Sequence, residues 1–391
     1  MDQLDSSVLA DLESVVADPL AYVAAWKERT GRKAIASFPM NFPAELIHAA
    51  GALPVILQDD RSPITEGRSL LAEFYCGYTQ SVVDQAARGR FDIFDGIVLS
   101  DHCVQLLGAV DVIREIRPTI PMHFGQFVGS LDERWADRQV RGEIDGLVAE
   151  IEAVVGAPVS EQALSDSIRL YNENRRLLRE FYDLRRSGRA RIAPSQMQTL
   201  VSSSLVMDVE EHSAILAGLL GRMTSTQDAP TDLVRIHLSG HFCHGPRPEL
   251  LDTIEECGAL VVDDDLYVGY RYISSDAQET GDPFDALAVW YRERNTSAPC
   301  PTRVQQSVDW DEYLVRTVRN SESLGVIVLM AKFCEPHMLY YPELRRTLED
   351  KGIPLLLVET EHDGIPLESL RTRVETFVER IRRRAAAAEL V

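Results

Sequence analysis

The feature that most constrains this chain is an alternation of strand-like and helix-like segments that runs, stops and then starts again. Lys33–Phe38, Leu53–Leu57, Gly96–Ser100 and a segment within Pro118–Phe124 read as strands. Between them, Pro43–Ala50, Gly67–Arg88 (interrupted at Cys76-Gly77) and Val104–Glu115 have helical spacing. Parallel strands need a crossover between them, so this pattern predicts a parallel sheet covered by helices. Ahead of it, residues 2–31 read as two helices broken at Asp18-Pro19, where proline suits a helix start. The alternation then stops. Leu131–Val155, Ser160–Arg186 and Pro194–Met223 read as helices, with Arg175, Arg176 and Glu180 expected on outer faces. A polar stretch, Thr224–Thr231, reads as a boundary. Beyond it come strands at Leu233–Ser239, Ala259–Val262, Gly325–Ala331 and Ile353–Val358. Helices at Arg247–Cys257, around Leu344–Lys351 and at Leu367–Ala388 accompany them. At 391 residues the chain exceeds one ordinary core. The expected division is an α/β domain at 1–125, a helical segment at 126–230 and a second α/β domain at 231–391.

Charge narrows the partners. The formal net charge is −21, from 61 acidic and 40 basic residues. Such a field repels a phosphate backbone, so nucleic acid is not an expected partner. An anionic small molecule would need local arginines or helix N-termini to hold it. Apolar runs such as Val326–Ala331 and Pro354–Val358 are too short to cross a bilayer, so no membrane partner is expected. Met1–Leu12 carries acids where an export signal would carry bases, which predicts a cytoplasmic protein.

Six cysteines occur, at 76, 103, 243, 257, 300 and 334, with no CxxC pair among them. Taken singly, each reads as a small buried apolar residue. Position gives some of them more. Gly96–Ser100 is followed by Asp101-His102-Cys103, and Gly325–Ala331 by Lys332-Phe333-Cys334. In open parallel sheets ligands bind beyond the carboxyl ends of the strands, so two such thiols can face each other across a cleft. Helices starting just after them favour thiolate. Cys243, in Ser239-Gly240-His241-Phe242-Cys243-His244, and Cys76 have similar claims by position. His241 and His244 raise zinc, but no paired ligand spacing accompanies them. Spacing alone leaves the metal unnamed.

Several stretches resemble the 2-hydroxyacyl-CoA dehydratase and benzoyl-CoA reductase family. They are Pro43–Pro54 ("PAELIHAAGALP"), Arg247–Asp252, Val261–Asp265, Tyr270–Tyr272, Lys332–His337 ("KFCEPH"), Gly352–Glu359 and Arg371–Phe377. The resemblance runs from about residue 30 to about 380. It implies two Rossmann-like parallel-sheet domains with an intervening helical layer and a [4Fe–4S] cluster at the interdomain cleft, held by Cys76, Cys103 and Cys334. The fourth iron would be left for water, a thiol or the substrate thioester. On this reading Cys243 is not a ligand, Cys257 is a core residue and Cys300 is a constrained loop residue.

The same resemblance implies an oxygen-sensitive system. A sister subunit of the same fold and a separate ATP-hydrolysing activator, fed by reduced ferredoxin or a similar low-potential donor, would serve an acyl-CoA or aryl-CoA substrate. No GxxxxGK[ST] loop occurs here, which agrees with ATP being handled by a partner. Ser37, Glu45 and His102 are the expected catalytic positions. At Ser37–Phe42 the chain departs from the dehydratases, which often carry a Cys-containing stretch there. The aromatic segment Leu266–Tyr272 and Ser100–Arg114 ("SDHCVQLLGAVDVIR") look most like the C-type subunit of the ATP-dependent reductases. Tyr267, Tyr270 and Arg271 are accordingly the expected substrate-binding residues, the tyrosines by stacking on an aromatic acyl group. The expected function is a subunit dearomatising an aryl-CoA ring by one-electron and proton transfers. A 2-hydroxyacyl-CoA dehydratase working through a ketyl radical is the first alternative. A cluster-carrying electron-transfer subunit without a substrate pocket is the second. The triple Asp263-Asp264-Asp265 could also read as a metal-binding acidic run.

Overall fold

A computed structural model describes residues 4–39, 43–100, 103–223, 233–241 and 243–389. His102 and the boundary expected at Thr224–Thr231 lie outside the described residues.

Two helices, α1 (Ser6–Ala17) and α2 (Pro19–Thr30), lead in. They are followed by β1 (Ala34–Ser37), α3 (Ala44–Ala49), β2 (Leu53–Ile56), α4 (Gly67–Leu70), α5 (Gly77–Ala87), β3 (Gly96–Ser100), α6 (Val104–Ile116) and β4 (Met122–Gly125). The helical stretch is α7 (Ala136–Val155), α8 (Glu161–Arg186), α9 (Pro194–Ser204) and α10 (Val209–Arg222). The second series is β5 (Val234–Gly240), α11 (Pro248–Glu256), β6 (Ala259–Asp264), α12 (Pro283–Ser297), α13 (Trp310–Asn320), β7 (Gly325–Ala331), α14 (Glu335–Asp350), β8 (Leu355–Thr360) and α15 (Leu367–Glu389). Among the described residues these strands form two four-stranded sheets, ordered β2-β1-β3-β4 and β6-β5-β7-β8, and every pairing is parallel. The fold is therefore α/β with two parallel-sheet units of the same strand order, as the alternation predicts.

Each sheet is covered on both faces, and the two-residue period of the strands sorts their side chains. Ala34, Ala36, Ile97 and Leu99 face one way and pack with Leu178 and Phe181 of α8 and Leu200 and Val201 of α9. Ile35 and Val98 face the other way, against Ile144 and Leu147 of α7. In the second sheet Ile236, Leu238, Ile327 and Leu329 pack with Val374 and Phe377 of α15. Val326 and Val328 face Leu314 of α13 and Leu344 of α14.

The helical stretch differs from its sequence reading in two ways. Pro194–Met223 is two helices, parted where the Asp208 side chain caps the backbone N–H groups of Glu210 and Glu211. And Arg175 is not on an outer face; its side chain is 3% exposed, whereas Arg176 is half exposed. Arg175 donates to Glu45 at 2.8 Å and to Asn172 at 2.6 Å and lies over the Trp290 ring. Asn172 in turn donates to the Ala277 carbonyl. From the same helix, Arg179 reaches Asp276, Tyr182 reaches Asp264 and Arg186 reaches Asp263. α8 thus ties α3 to the segment that follows β6.

Candidate functional site

The strand order reverses between β1 and β3 in one sheet and between β5 and β7 in the other, which is where open α/β sheets form a crevice. Cys103 stands three residues beyond Ser100 of β3, Cys243 three beyond Gly240 of β5, and Cys334 three beyond Ala331 of β7. Cys76 reaches the same place from the break between α4 and α5. Cys76, Cys103 and Cys334 each hold the N-cap position of a helix (α5, α6 and α14) without using the side chain as a cap. Their sulfurs are left to face inward. With Cys243, Gln105, Thr302, Glu335 and Pro336 they line one small cavity, a void of about 320 Å³ with its solvent-facing space included.

One side chain joins these segments. Gln105, two residues after Cys103 and buried, accepts from the Cys76 backbone N–H at 2.7 Å and donates to the Phe333 carbonyl at 2.7 Å. It also reaches the Phe74 carbonyl. Phe333 itself adopts a left-handed backbone, φ +65°, which turns the chain into Cys334. Gly77 is required for contact: a Cβ there would sit 2.7 Å from the His362 Cβ. The Gln105→Leu variant leaves the buried Cys76 N–H and the part-buried Phe333 C=O without their side-chain partner. The expected loss is about 1–3 kcal/mol per orphaned group, read as a lower denaturation midpoint at an unchanged m value.

The thiols lie in an environment that raises their pKa. Burial pushes Cys76 up. Burial, and then the neighbouring Cys76, push Cys103 up to about 12 and Cys334 higher still. Desolvation therefore outweighs the three helix N-termini, and the thiolates expected from helix position alone require a further positive charge. A cationic iron–sulfur core would meet that requirement, and an all-sulfur donor set suits it. Among the described residues no group of three or more His, Cys, Asp or Glu side chains has the spacing that one metal ion needs. A cube spreads its ligands wider than a single ion does.

The other expected residues are placed as follows. Ser37 is fully buried at the end of β1, with its Oγ on the Phe38 carbonyl. Glu45 is in the buried pair with Arg175, and neither Ser37 nor Glu45 lines the thiol cavity. Tyr267 is buried, its ring edge-on to Tyr272. Tyr270 stacks on the Arg186 guanidinium, 4.0 Å from the ring centroid, and meets Tyr182 edge-on. Arg271 is buried in an ion pair with Asp265 at 3.1 Å and donates to the Ala298 and Pro299 carbonyls. The triple aspartate is held by protein partners: Asp263 by Arg186, Asp264 by Tyr182 and the Tyr270 N–H, Asp265 by Arg271 and the Trp310 indole. Cys257 is in the core beside α15. Cys300 touches the Thr302 hydroxyl, one residue behind the cavity wall.

A wider cavity opens next to the thiols, lined by Tyr75, Gly77 and Phe333 together with Arg68, Lys332 and His362. His362, in the loop after β8, forms an ion pair with Asp59 at 3.1 Å. Burial alone would lower the His362 pKa, but Asp59 raises it above the usual range; burial would raise Asp59, but His362 holds it down. The histidine contribution is present below about pH 6.5 and fades as pH rises through its raised value. The aspartate contribution is present above about pH 3.9 and fades as pH falls through its depressed value. The melting-temperature difference between the native chain and Asp59→Asn should therefore be largest near pH 5 and shrink above pH 8.

Neither Gln105 nor His362 is evident from residue type alone. A glutamine in the apolar run Val104–Ala109 is the one hint the sequence offers for the first.

The 2-hydroxyglutaryl-CoA dehydratase, D-component family model matches residues 39–381. The C-type subunit of the benzoyl-CoA reductase of Thauera aromatica is 27% identical over 389 residues, covering 96% of this chain and 98% of the relative. The (R)-phenyllactyl-CoA dehydratase beta subunit of Clostridium sporogenes is 26% identical, covering 94% and 97%. The beta subunit of lactoyl-CoA dehydratase of Anaerotignum propionicum is 28% identical, covering 95% and 98%. Among the described residues no helix is long and apolar enough to cross a membrane. A family match over nearly the whole chain, on a fold of two parallel sheets whose strand ends bring cysteines together, has one reading: this chain belongs to the 2-hydroxyglutaryl-CoA dehydratase, D-component family.

Proposed function

We propose that this chain is the [4Fe–4S]-bearing subunit of an ATP-dependent aryl-CoA reductase, with Cys76, Cys103 and Cys334 as cluster ligands. The observation that carries the reading is the convergence of these thiols, from two sheets and three helix N-termini, on one cavity. When bound, the cluster supplies one-electron chemistry at low potential, favoured by thiolate ligation and a largely dry site. The chain's own residues hold the thiols in register through Gln105, keep bulk water out, and place Tyr75 and Phe333 at the adjoining cavity. Arg68 and Lys332 there can meet the anionic part of a CoA thioester. The sister subunit, the ATP-hydrolysing activator and its ferredoxin-like donor belong to the same proposal.

A dehydratase reading is favoured by the lactoyl-CoA and phenyllactyl-CoA relatives, whose identities of 28% and 26% bracket the 27% of the reductase relative. The purified complex, supplied with activator and ATP, separates the two when offered benzoyl-CoA and a 2-hydroxyacyl-CoA. The reductase reading expects loss of benzoyl-CoA absorbance with formation of a cyclic diene. Turnover of the hydroxyacyl thioester alone would replace it with the dehydratase reading.

A further inference from the structure

We propose that a second cavity, away from the thiols, binds a nucleotide that has an amino-bearing base and free ribose hydroxyls. The inference goes beyond the activity proposed above and stands independently of it.

The cavity has a volume of about 410 Å³, within the range of small-molecule sites, and lies beyond the carboxyl end of β2. Five parts of the chain build it: the α1–α2 break (Leu20), the loop after β2 (Asp60, Arg61), the turn after α5 (Arg90, Phe94), α9 (Gln198) and the loop after β5 (Pro246). Its polar side chains are fixed. Gln198 donates through Nε2 to the Pro246 carbonyl at 2.9 Å. Gly245 is pressed against it, since a Cβ there would lie 2.8 Å from the Gln198 Cδ. Asp60 accepts from the Ser62 N–H through Oδ1 at 2.9 Å, and its own N–H donates to Ser81 Oγ at 3.0 Å. Each side chain is held by one atom and presents another.

The atoms left over are complementary to one kind of molecule. Gln198 Oε1, Asp60 Oδ2 and Arg90 Nε are buried and, among the described residues, have no hydrogen-bond partner. Gln198 is 7% exposed, deep enough for an unpaired oxygen to be costly. The amide oxygen and the carboxylate need donors from a ligand, and the guanidinium needs an acceptor. A ribose diol supplies donors to a carboxylate, as in dinucleotide sites. A base amino group supplies one to Gln198, and the buried Leu57, Phe94 and Pro246 give the base an apolar wall. A phosphate meets Arg90 and the exposed Arg61. Arg90 is not otherwise committed, because its contact with the exposed Asp18 is 3.5 Å long. The other carboxylate of the cavity, Asp59, is paired with His362. Coenzyme A has an adenine nucleotide too, but one of its ribose hydroxyls carries a phosphate, which Asp60 would repel. No GxxxxGK[ST] loop occurs, so the reading is of binding and not of hydrolysis.

Titration calorimetry on the full chain uses AMP as the probe, compared with IMP, adenosine, dideoxy-AMP and CoA. IMP lacks the amino group, adenosine the phosphate, and dideoxy-AMP both ribose hydroxyls. The proposal expects one AMP per chain, with each of the other four bound at least about tenfold more weakly. Asp60→Ala should bind AMP about as weakly as native protein binds dideoxy-AMP, and should no longer distinguish the two. No binding at about 1 mM AMP overturns the proposal, and the cavity then holds only water. Equal binding of AMP, IMP and dideoxy-AMP overturns it as well, since Gln198 and Asp60 would then read nothing. CoA bound more tightly than AMP overturns the free-hydroxyl requirement and gives the cavity to the acyl-CoA substrate. If the variant does not fold, the ligand series on native protein still decides. None of these measurements depends on iron, so their failure leaves the cluster assignment untouched.

Discussion

The Arg175→Met variant should be less stable by about 3–5 kcal/mol, because it leaves the Glu45 carboxylate buried and unpaired. Denaturant titration reads the loss directly. The double variant Glu45→Leu/Arg175→Met should recover most of it, since removing both charges from an apolar site is often neutral or better. Glu45→Gln keeps a hydrogen-bonding group beside Arg175, whose charge still meets Asn172 and, at 3.9 Å, Asp276, and should cost less than Arg175→Met. These variants also separate two roles for Glu45. A structural partner loses stability in step with the broken pair, whereas a proton donor would lose turnover in Glu45→Gln with stability nearly intact.

Cys76→Ser, Cys103→Ser and Cys334→Ser should each abolish stable iron retention and lower turnover by at least about a hundredfold. A hydroxyl is a harder, less acidic donor than a thiol, and the buried site gives it no help in ionising. Cys257→Ser is the control. It lies in the apolar layer between α11 and α15, so it should lower stability modestly and leave iron content unchanged. Iron assay and melting temperature on the same preparations tell the two effects apart.

Much of the fold is legible in the sequence because parallel strands buried on both faces read as short continuous apolar runs. Gly96–Ser100 and Gly325–Ala331 show this, and the structure places strands at those residues. The break at Asp18-Pro19 is where α1 and α2 part, and α5 begins at Gly77 as read, but α4 ends already at Leu70, so the stretch before Cys76 is not helical. α12 and α13 are absent from the sequence reading because they stand outside the alternation, although Asp282-Pro283 carries the same start signal where α12 begins. Arg175 is not legible in this way. In a helix as charged as α8 composition says that one face meets water, but not that the opposite face must neutralise a carboxylate from α3. The triple aspartate misleads for the same reason, since its partners come from α8, from the turn after β6 and from α13. Two of the three proposed ligands can be placed at strand ends from sequence. That Cys243 lines the same cavity cannot, because sequence does not say which loops of two separate sheets meet.

The most direct test of the cluster assignment is the iron and acid-labile sulfide content of the chain purified under strict exclusion of oxygen. The expected result is about four iron and four sulfide per chain, with the absorbance of a cubane cluster that bleaches on reduction. Oxygen-free protein, folded by circular dichroism, that neither contains iron nor takes it up from ferrous ion and sulfide would contradict it.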